Sequence, residues 1–310
     1  MTMNAAARLL ARCEDLPPMR TAIVHPVSSS AIEAVADAVS RGMIDPVLIG
    51  PVEKIRDAAK KAGVDIGEWS LVDTEHSHAA AAQAVRLAAD RDVEAVMKGS
   101  LHSDELLGAI LQSNSGLRTA RRVSHAYLMS IGSYPKPFII TDAAVNITPD
   151  LMAKADIVQN AVDLWHVLFS DSAVPKVAAL AAVETINPRM IATLDAASLC
   201  KMADRGQITD CLIDGPLAFD NAVSADAARE KGIVSDVAGD ADILLVPDIE
   251  AGNMLAKQLT FLGGAEAAGI VLGARVPIML TSRADSERTR LLSCAIAILM
   301  VEARRAGQLK

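Results

Sequence analysis

The chain has 310 residues, of which 51% are hydrophobic and 22% are charged, and its formal net charge is −8. This composition is that of a folded globular protein and excludes a disordered chain, a collagen and a small disulfide-stapled scaffold. The negative charge disfavours binding to nucleic acid and to anionic membranes. Aromatic residues make up only 3%, which disfavours sites that stack bases or sugars.

The first third of the chain alternates buried strands with helices. After a short amphipathic helix within residues 1–20, strands are predicted at 21–27, 45–50, 69–73 and 93–98. Helices are predicted from Ser30 to about Arg41, from Pro51 onward, and over 78–90. Ser30 and Glu33 fit a capping box at the first of these helices. The alternation predicts right-handed βαβ units and a parallel sheet.

The middle of the chain changes character at two extended runs, 123–131 and 138–145, which are joined by a Gly/Pro turn. This pattern predicts an antiparallel hairpin. Thr148, Pro149 and Asp150 then predict a helix start, with Thr148 as N-cap and Pro149 in the first turn. The remaining predicted elements are strands at 176–183, 211–214, 242–247, 270–272 and 276–280, and a final apolar helix at 289–305.

These elements predict an α/β fold with two domains, the second inserted into the first. Domain I is predicted at 1–130 plus 268–310 and domain II at 131–267, with the ligand site in the crevice between them. The apolar runs are shorter than the roughly 20 residues that cross a bilayer, and the N-terminus has no apolar signal-peptide core. We therefore expect a cytoplasmic protein. The four cysteines lack CxxC spacing, which favours reduced thiols over a zinc site.

The first candidate site is residues 281–285, which follow the predicted strand 276–280. Here Ser282, Arg283 and Asp285 bring a hydroxyl, a guanidinium and a carboxylate to the carboxyl end of a strand. Such a group, with the N–H groups of a helix start, is suited to binding phosphate. The structural alternative is that Ser282 and Asp285 form a capping box for the last helix.

The second candidate site is basic and begins at Lys98, where a strand ends. Arg118, Arg121 and Arg122 follow with the spacing of one helical face. A basic cluster in an acidic chain fits an anion site, although such clusters are usually solvated surface. Ser124 and His125 come next. His125 is suited to orient a substrate, but a lone histidine is more often structural.

A third candidate lies after the strand 242–247. Asp248, Glu250 and Asn253 are suited either to Mg²⁺ or to capping the following helix, and the preference of Asp for helix starts favours the cap. The P-loop, GxGxxG, HExxH and GxSxG patterns find no match. This absence disfavours kinase, P-loop and ordinary dinucleotide-binding functions.

Taken together, eight segments in order make the chain resemble the phosphate acetyltransferase and phosphate butyryltransferase family over about residues 93–305. The segments are Met97-Lys98-Gly99, Gly116-Leu117-Arg118-Thr119, Val123-Ser124-His125, 138–146 with its Thr141-Asp142-Ala143-Ala144-Val145-Asn146 core, 214–220, 246–253, 261–265 and Thr281-Ser282-Arg283.

The resemblance implies reversible acyl transfer between coenzyme A and inorganic phosphate. It also implies two three-layer domains like those of isocitrate and isopropylmalate dehydrogenases, a cleft active site, a homodimer, no catalytic metal and no tightly bound cofactor, with CoA as co-substrate. By position, Ser282 would orient the CoA thiol, and Arg283 would bind the phosphoryl oxygens and polarise the acyl carbonyl. The substrate-binding residues implied for phosphate and CoA are Lys98, Arg118, Arg121, Arg122, Ser124, His125, Asn146 and Asn253.

The sequence departs from the family's acetyl enzymes at the general base. Their catalytic Asp lies seven residues after the serine, a position that Thr289 occupies here. Asp285 matches the Ser-Arg-x-Asp variant of the butyryl members and is the candidate base. This departure makes the sequence more similar to the butyryl branch than to the acetyl branch at this position. The length of the acyl chain stays open.

Two other functions are consistent with the same residues. One is a metal- and NAD-dependent hydroxyacid dehydrogenase of the related fold, with Asp248 and nearby carboxylates holding Mg²⁺. The absence of a carboxylate cluster counts against it. The other is a non-catalytic regulator that binds CoA or phosphate. Thr289 favours this regulator, and the intact Ser282-Arg283 pair counts against it.

Overall fold

The computed structural model describes residues 5–169, 173–280 and 286–309. It confirms the predicted α/β class. The chain forms two compact units, Met1–Val123 with Ala268–Lys310, and Ser124–Ala267. Among the described residues, no helix has both the length and the apolar character needed to cross a membrane.

Helices and strands alternate along most of the described chain. The helices are α1 (Ala5–Ala11), α2 (Ser29–Ser40), α3 (Val52–Ala62), α4 (Ser77–Ala89), α5 (Ser103–Leu111), α6 (Leu151–Leu168), α7 (Ile191–Asp204), α8 (Phe219–Val223), α9 (Ala225–Glu230), α10 (Ile249–Phe261) and α11 (Glu287–Arg305). The strands are β1 (Met19–Val24), β2 (Ile44–Gly50), β3 (Ser70–Asp73), β4 (Ala95–Lys98), β5 (Ser124–Ser130), β6 (Phe138–Thr141), β7 (Lys176–Leu180), β8 (Leu212–Leu217), β9 (Ile243–Leu245), β10 (Glu266–Leu272) and β11 (Ile278–Met279).

In the first unit the strand order is β3-β2-β1-β4-β11-β10. The first five of these strands are parallel, with Ile23 of β1 opposite Leu48 of β2 and Met97 of β4. Strand β10 is antiparallel to β11. The carboxyl ends of the parallel strands therefore meet at one edge of the sheet, and the β10–β11 turn lies at the opposite edge.

The core of the first unit is aliphatic. The strands contribute side chains such as Ile23 and Val96, which are fully buried. Helix α11 is buried almost continuously from Leu291 to Val301, as expected for a helix that is apolar on all sides. The alanines of α4 leave little side-chain volume between helix and sheet, which permits close packing.

In the second unit the strand order is β5-β6-β9-β7-β8. Strands β5 and β6 form the predicted antiparallel hairpin, with Ala126 opposite Thr141, and β6, β9, β7 and β8 are parallel. Met129, Phe138 and Leu244 lie in the buried core beneath them. The carboxyl end of β6 therefore brings Asp142 and the residues that follow it to one edge of this sheet.

Two predicted helix starts are wrong by two residues. Helix α2 is capped by Ser28, not by Ser30, because Ser28 Oγ accepts the Ala31 N–H and is also held by a hydrogen bond to Ser100 Oγ. Helix α6 is capped by Asp150, whose carboxylate accepts the Ala153 N–H at 2.8 Å. Thr148 and Pro149 thus lie outside the helix. In both cases a better-placed acceptor takes the N-cap position.

The residues between α5 and β5 do not form the helix that their arginine spacing predicts. Arg118 makes an isolated antiparallel bridge with Ala274, and the Arg275 N–H donates to the Leu117 carbonyl. This pairing with the β10–β11 turn replaces helical hydrogen bonds, so Arg118, Arg121 and Arg122 share no helical face.

Candidate active site

Lys98 is the last residue of β4, at the edge where the parallel strands of the first unit end. Its side chain is buried, and Nζ donates to the Leu101 carbonyl at 3.3 Å. The neighbouring strand β11 ends with Met279 opposite Met97. Ser282, Arg283 and Asp285 follow β11 in the chain but lie outside the described residues. The order of the strands thus places Lys98 beside the strand that leads into this segment.

The structural alternative for Ser282 and Asp285, a cap on the last helix, is wrong. Helix α11 is capped by Ser286, whose Oγ accepts the Thr289 N–H at 3.1 Å. The Thr289 hydroxyl lies 3.0 Å from the same oxygen. The Thr289 side chain therefore supports the helix start, in the position where the family's acetyl enzymes carry their base.

Two hydroxyls and one imidazole at this edge were missed by the sequence analysis. Ser28 Oγ and Ser100 Oγ are 2.8 Å apart, and the Ser100 N–H donates to the His25 carbonyl at 2.9 Å. Gly99 packs tightly here, since an added Cβ would lie 2.5 Å from the Val24 carbonyl oxygen. The segment Lys98-Gly99-Ser100 is therefore fixed against the end of β1.

His25 adopts a left-handed backbone conformation, with φ 55°, which is uncommon outside glycine and clusters at functional sites. Burial lowers the pKa of its imidazole, the nearby Lys54 and His76 lower this pKa further, and Glu105 opposes them. Its Nδ1 is buried and has no hydrogen-bond partner among the described residues. No signal in the sequence pointed to His25, because it lies inside the strand predicted at 21–27, whereas β1 ends at Val24.

The structure places the backbone of Arg118 away from Lys98 and the end of β4. Arg118 pairs with Ala274 in the β10–β11 turn, which lies at the edge of the sheet opposite to the end of β4. Thr119 Oγ1 fixes the same segment by donating to the Gly273 carbonyl at 2.8 Å. All three arginines are exposed, and their role as ligands for phosphate or CoA stays a prediction.

In the second unit Ser124 and His125 begin β5, and both are buried. The Asn160 side-chain amide donates to Ser124 Oγ at 3.0 Å, and Thr141 Oγ1 donates to the His125 carbonyl at 2.9 Å. Burial lowers the pKa of His125 to about 4, although the Asp142 carboxylate partly offsets this effect. The imidazole is therefore neutral at pH 7.

The Asp142 carboxylate organises the loop after β6. It accepts the backbone N–H groups of residues 144, 145 and 146 and the side-chain amide of Asn146, the last at 2.6 Å. Both Asp142 and Asn146 are buried. Four donors on one carboxylate hold the loop, and the amide of Asn146, in one conformation. Asp142 lies within the 141–146 segment of the resemblance, which implies no role for it.

Helix α10 packs its first turn against this loop. The Asn253 side-chain amide donates to the Ala143 carbonyl at 3.2 Å. A Cβ on Gly252 would lie 2.7 Å from the Asp142 carbonyl oxygen, so only glycine permits this approach. Asp248 caps α10 by accepting the Ala251 N–H at 2.8 Å, which confirms the favoured prediction for Asp248. Ser124, His125, Asn146 and Asn253 are thus assembled around the β5–β6 hairpin and the start of α10.

Comparison with known proteins decides between the candidate functions. Residues 75–298 match the family described as Phosphate acetyl/butaryl transferase. The chain belongs to this family. It is 56% identical over 289 residues to the phosphate acetyltransferase of Rickettsia felis, covering 93% of this chain and 82% of that protein. It is 41% identical over 281 residues to the phosphate butyryltransferase of Clostridium acetobutylicum, and the match covers 91% of this chain and 93% of that protein.

A solved relative agrees with the fold. The branched-chain phosphotransacylase of Enterococcus faecalis superposes with a TM-score of 0.78 at 29% identity, covering 91% of this chain and 99% of that one. The resemblance stated from the eight segments is therefore confirmed. The likeness to isocitrate dehydrogenase stays a prediction.

The cysteines and the acidic and histidine side chains of the described residues offer little for thiol or metal chemistry. Burial raises the pKa of Cys13 and Cys200 to about 11 and of Cys211 and Cys294 to about 12, so these thiols are protonated at neutral pH and are poor nucleophiles. Among the described residues, no three His, Cys, Asp or Glu side chains are grouped to hold a metal ion.

Proposed function

We propose that this chain catalyses reversible acyl transfer between coenzyme A and inorganic phosphate: acyl-CoA and phosphate in equilibrium with acyl phosphate and CoA. The observation that carries this proposal is the family match over residues 75–298, which includes the Ser282-Arg283 pair. Two named relatives on different branches, an acetyl- and a butyryltransferase, share the same reaction class.

The chemistry begins with the CoA thiol, which is mostly protonated at pH 7 and must become a thiolate to attack. Asp285 accepts this proton, and Ser282 orients the sulfur. The thiolate attacks the acyl carbon of the acyl phosphate, and the carbonyl oxygen gains negative charge. Arg283 stabilises that oxyanion. The C–O bond to phosphate then breaks, and phosphate leaves with the bonding electrons.

Lys98 adds positive charge at the same edge of the first unit's sheet. It ends β4, which is the parallel neighbour of the strand that leads into Ser282 and Arg283. The N–H groups at the start of α2 and the hydroxyls of Ser28 and Ser100 are suited to phosphate oxygens at this edge. Much of the acceleration then comes from holding two anionic substrates in reacting geometry.

The second unit supplies neutral polar groups. Ser124, His125, Asn146 and Asn253 are offered as substrate-binding residues, and Asp142 positions Asn146 through the hydrogen bond at 2.6 Å. Because His125 is neutral at pH 7, it adds no positive charge for the anionic substrates. That charge comes instead from Lys98 and Arg283, with Arg118, Arg121 and Arg122 for phosphate or CoA.

The acyl group we propose is acetyl. Identity to the Rickettsia felis acetyltransferase is 56% and to the Clostridium acetobutylicum butyryltransferase 41%, which outweighs the single departure at Thr289. We also propose that the enzyme works in the cytoplasm as a homodimer, with CoA as co-substrate and with no tightly bound cofactor.

The dehydrogenase and regulator alternatives are not favoured. The dehydrogenase would need Asp248 as a metal ligand, whereas Asp248 Oδ1 accepts the Ala251 N–H as a helix cap. The regulator would lack turnover, whereas the chain's relatives on both branches are named as transferases.

Substitution of Arg283 tests the proposed site. Arg283→Ala should lower turnover of acetyl phosphate with CoA by about 100-fold or more, the scale of losing one oxyanion donor. Arg56→Ala is the matched control, because Arg56 pairs with Glu53 on the surface of α3. A folded Arg283→Ala enzyme with near-normal CoA-dependent turnover would refute the role of Arg283.

The pH profile of Asp285→Asn tests the base. At low pH the CoA thiol needs a base to ionise, whereas at high pH it ionises unaided. The acyl-transfer rate of Asp285→Asn should therefore fall most at low pH and less at high pH. A profile of the same shape as that of the unchanged enzyme would reject Asp285.

A further inference from the structure

A groove of about 620 Å³ lies between α4 and α5, within the first unit. Its volume is in the range of small-molecule sites. Both helices begin at the same end of the groove, since His78 in the first turn of α4 lies 3.8 Å from Glu105 in the first turn of α5. Arg86 and Gln112, at the ends of the two helices, line the other end.

The end where the helices begin is acidic. Asp104 and Glu105 both line it. The Glu105 side chain is only 17% exposed, and its Oε2 is buried without a hydrogen-bond partner among the described residues. The Nδ1 atom of His78 lies 3.8 Å from Oε2, which is beyond hydrogen-bond distance. Asp104 is exposed and the Glu105 side chain is partly exposed, so the two carboxylates make this end suited to a cationic donor.

The opposite end is basic. Arg86 lies in the last turn of α4, and its Nη2 donates to Gln83 Oε1 of the same helix. It makes no ion pair with a carboxylate in the part of the chain that the structure describes. Gln112 and Asn114 add amide groups beside it. A guanidinium with neighbouring amide donors is suited to a carboxylate.

Between the two ends the groove is lined by small apolar residues, Ala82, Val85, Gly108 and Ala109. A Cβ added to Gly108 would meet no heavy atom within 4 Å. The middle of the groove is therefore open and suited to a narrow apolar chain. His78 and Arg86 are eight positions apart on α4, a rise of about 12 Å.

We propose that this groove binds a linear zwitterion, with its ammonium group at Glu105, its carboxylate at Arg86 and a short apolar chain over Gly108. The site goes beyond the acyl transfer reaction and uses none of the residues proposed for it. The chemistry fits a small ω-amino acid or a similar molecule with separated charges.

The test uses 8-aminooctanoate as the probe and isothermal titration calorimetry of the full chain as the assay. Octanoate and octylamine each lack one of the two charged groups and should bind at least about 10-fold more weakly than the probe, a difference of about 1.4 kcal/mol. Arg86→Gln and Glu105→Gln should each weaken binding of the probe by at least the same factor. Glu53→Gln and Arg56→Gln on α3 are the matched charge controls and should leave it unchanged.

Gly108→Leu supplies a steric test that does not depend on charge. Leucine should occupy the middle of the groove, where an added Cβ meets no heavy atom within 4 Å, and should favour the helix, since glycine is unfavourable in a helix interior. The variant should therefore melt at or above the temperature of the unchanged protein and lose binding of the probe. Acyl transfer is assayed separately in each variant, so failure of this site and failure of the proposed reaction are distinguishable. The proposal is overturned if the probe does not bind at millimolar concentration, if octanoate binds as well, or if a folded Gly108→Leu protein still binds.

Discussion

His125 makes the stability of the protein depend on pH in a way that can be isolated. Burial lowers the pKa of its imidazole from 6.5 to about 4 in the folded chain, whereas in the unfolded chain the pKa returns to about 6.5. Between these two values the unfolded chain binds a proton that the folded chain does not. The folded state therefore gains stability as the pH rises from about 4 to about 6.5 and loses it as the pH falls through that window.

The size of the effect follows from the two pKa values. One unit of difference corresponds to about 1.4 kcal/mol, and lowering the pH from 7 to 5 covers more than half of the window. This change should cost the folded state about 2 kcal/mol through His125. His125→Gln removes the titrating group while keeping a polar side chain in the same buried place.

The assay is urea unfolding of both proteins at pH 7 and at pH 5. Between pH 7 and pH 5 the free energy of unfolding of the unchanged protein should fall by about 2 kcal/mol more than that of His125→Gln. His102→Gln is the control, because His102 is exposed and caps no backbone group through its side chain; it should lose as much as the unchanged protein. Equal losses in the unchanged protein and in His125→Gln would refute the assignment of a buried neutral imidazole.

Three further predictions concern the loop after β6 and the helix that packs on it. Gly252→Ala should lower both thermal stability and acyl-transfer activity, because its Cβ would lie 2.7 Å from the Asp142 carbonyl oxygen. Gly108→Ala is the control and should raise the melting temperature, because its Cβ would have no atom within 4 Å. A Gly252→Ala protein as stable and as active as Gly108→Ala would contradict the packing of Gly252 against the loop. Asp248→Ala should cost about 1 kcal/mol of unfolding free energy through loss of the helix cap, and its activity should remain with or without added Mg²⁺; restoration of lost activity by Mg²⁺ would instead indicate a metal ligand. Asp142→Asn removes a carboxylate that accepts four N–H groups. The variant should therefore have a higher KM for the substrates and faster hydrogen exchange of the backbone amides at residues 144–146. Unchanged exchange rates would show that the carboxylate does not hold the loop.

The strands were the most predictable part of the fold. Runs such as 45–50 and 93–98 are apolar and end at glycine or at a charged residue, and the structure places β2 and β4 within a residue or two of them. The hairpin was predictable because its Gly/Pro turn is local. The helix α5, at Ser103–Leu111, was not foreseen, and the helix over the three arginines was foreseen wrongly.

Two of the failures share one physical cause, which is that a deciding partner is distant in the sequence. Ser28 is the cap of α2 partly because Ser100, 72 residues away, bonds its hydroxyl. Arg118 is extended because it pairs with Ala274. In the candidate site, Lys98 and Asn253 could be predicted from the sequence, because they are polar residues at or just after the ends of predicted strands. The loop-organising role of Asp142 uses only donors two to four residues further along the chain, whereas the buried state of His125 follows from packing that no local pattern contains.

The most direct test of the proposed function is CoA-dependent release of phosphate from acetyl phosphate by the purified protein, measured with and without EDTA and repeated with butyryl phosphate. We expect phosphate release that requires CoA, persists in EDTA and is faster with the acetyl compound. A folded protein that binds CoA tightly but releases no phosphate from either compound would contradict the proposed acyl transfer and favour a regulator. Loss of activity in EDTA would contradict a mechanism carried by Ser282, Arg283 and Asp285.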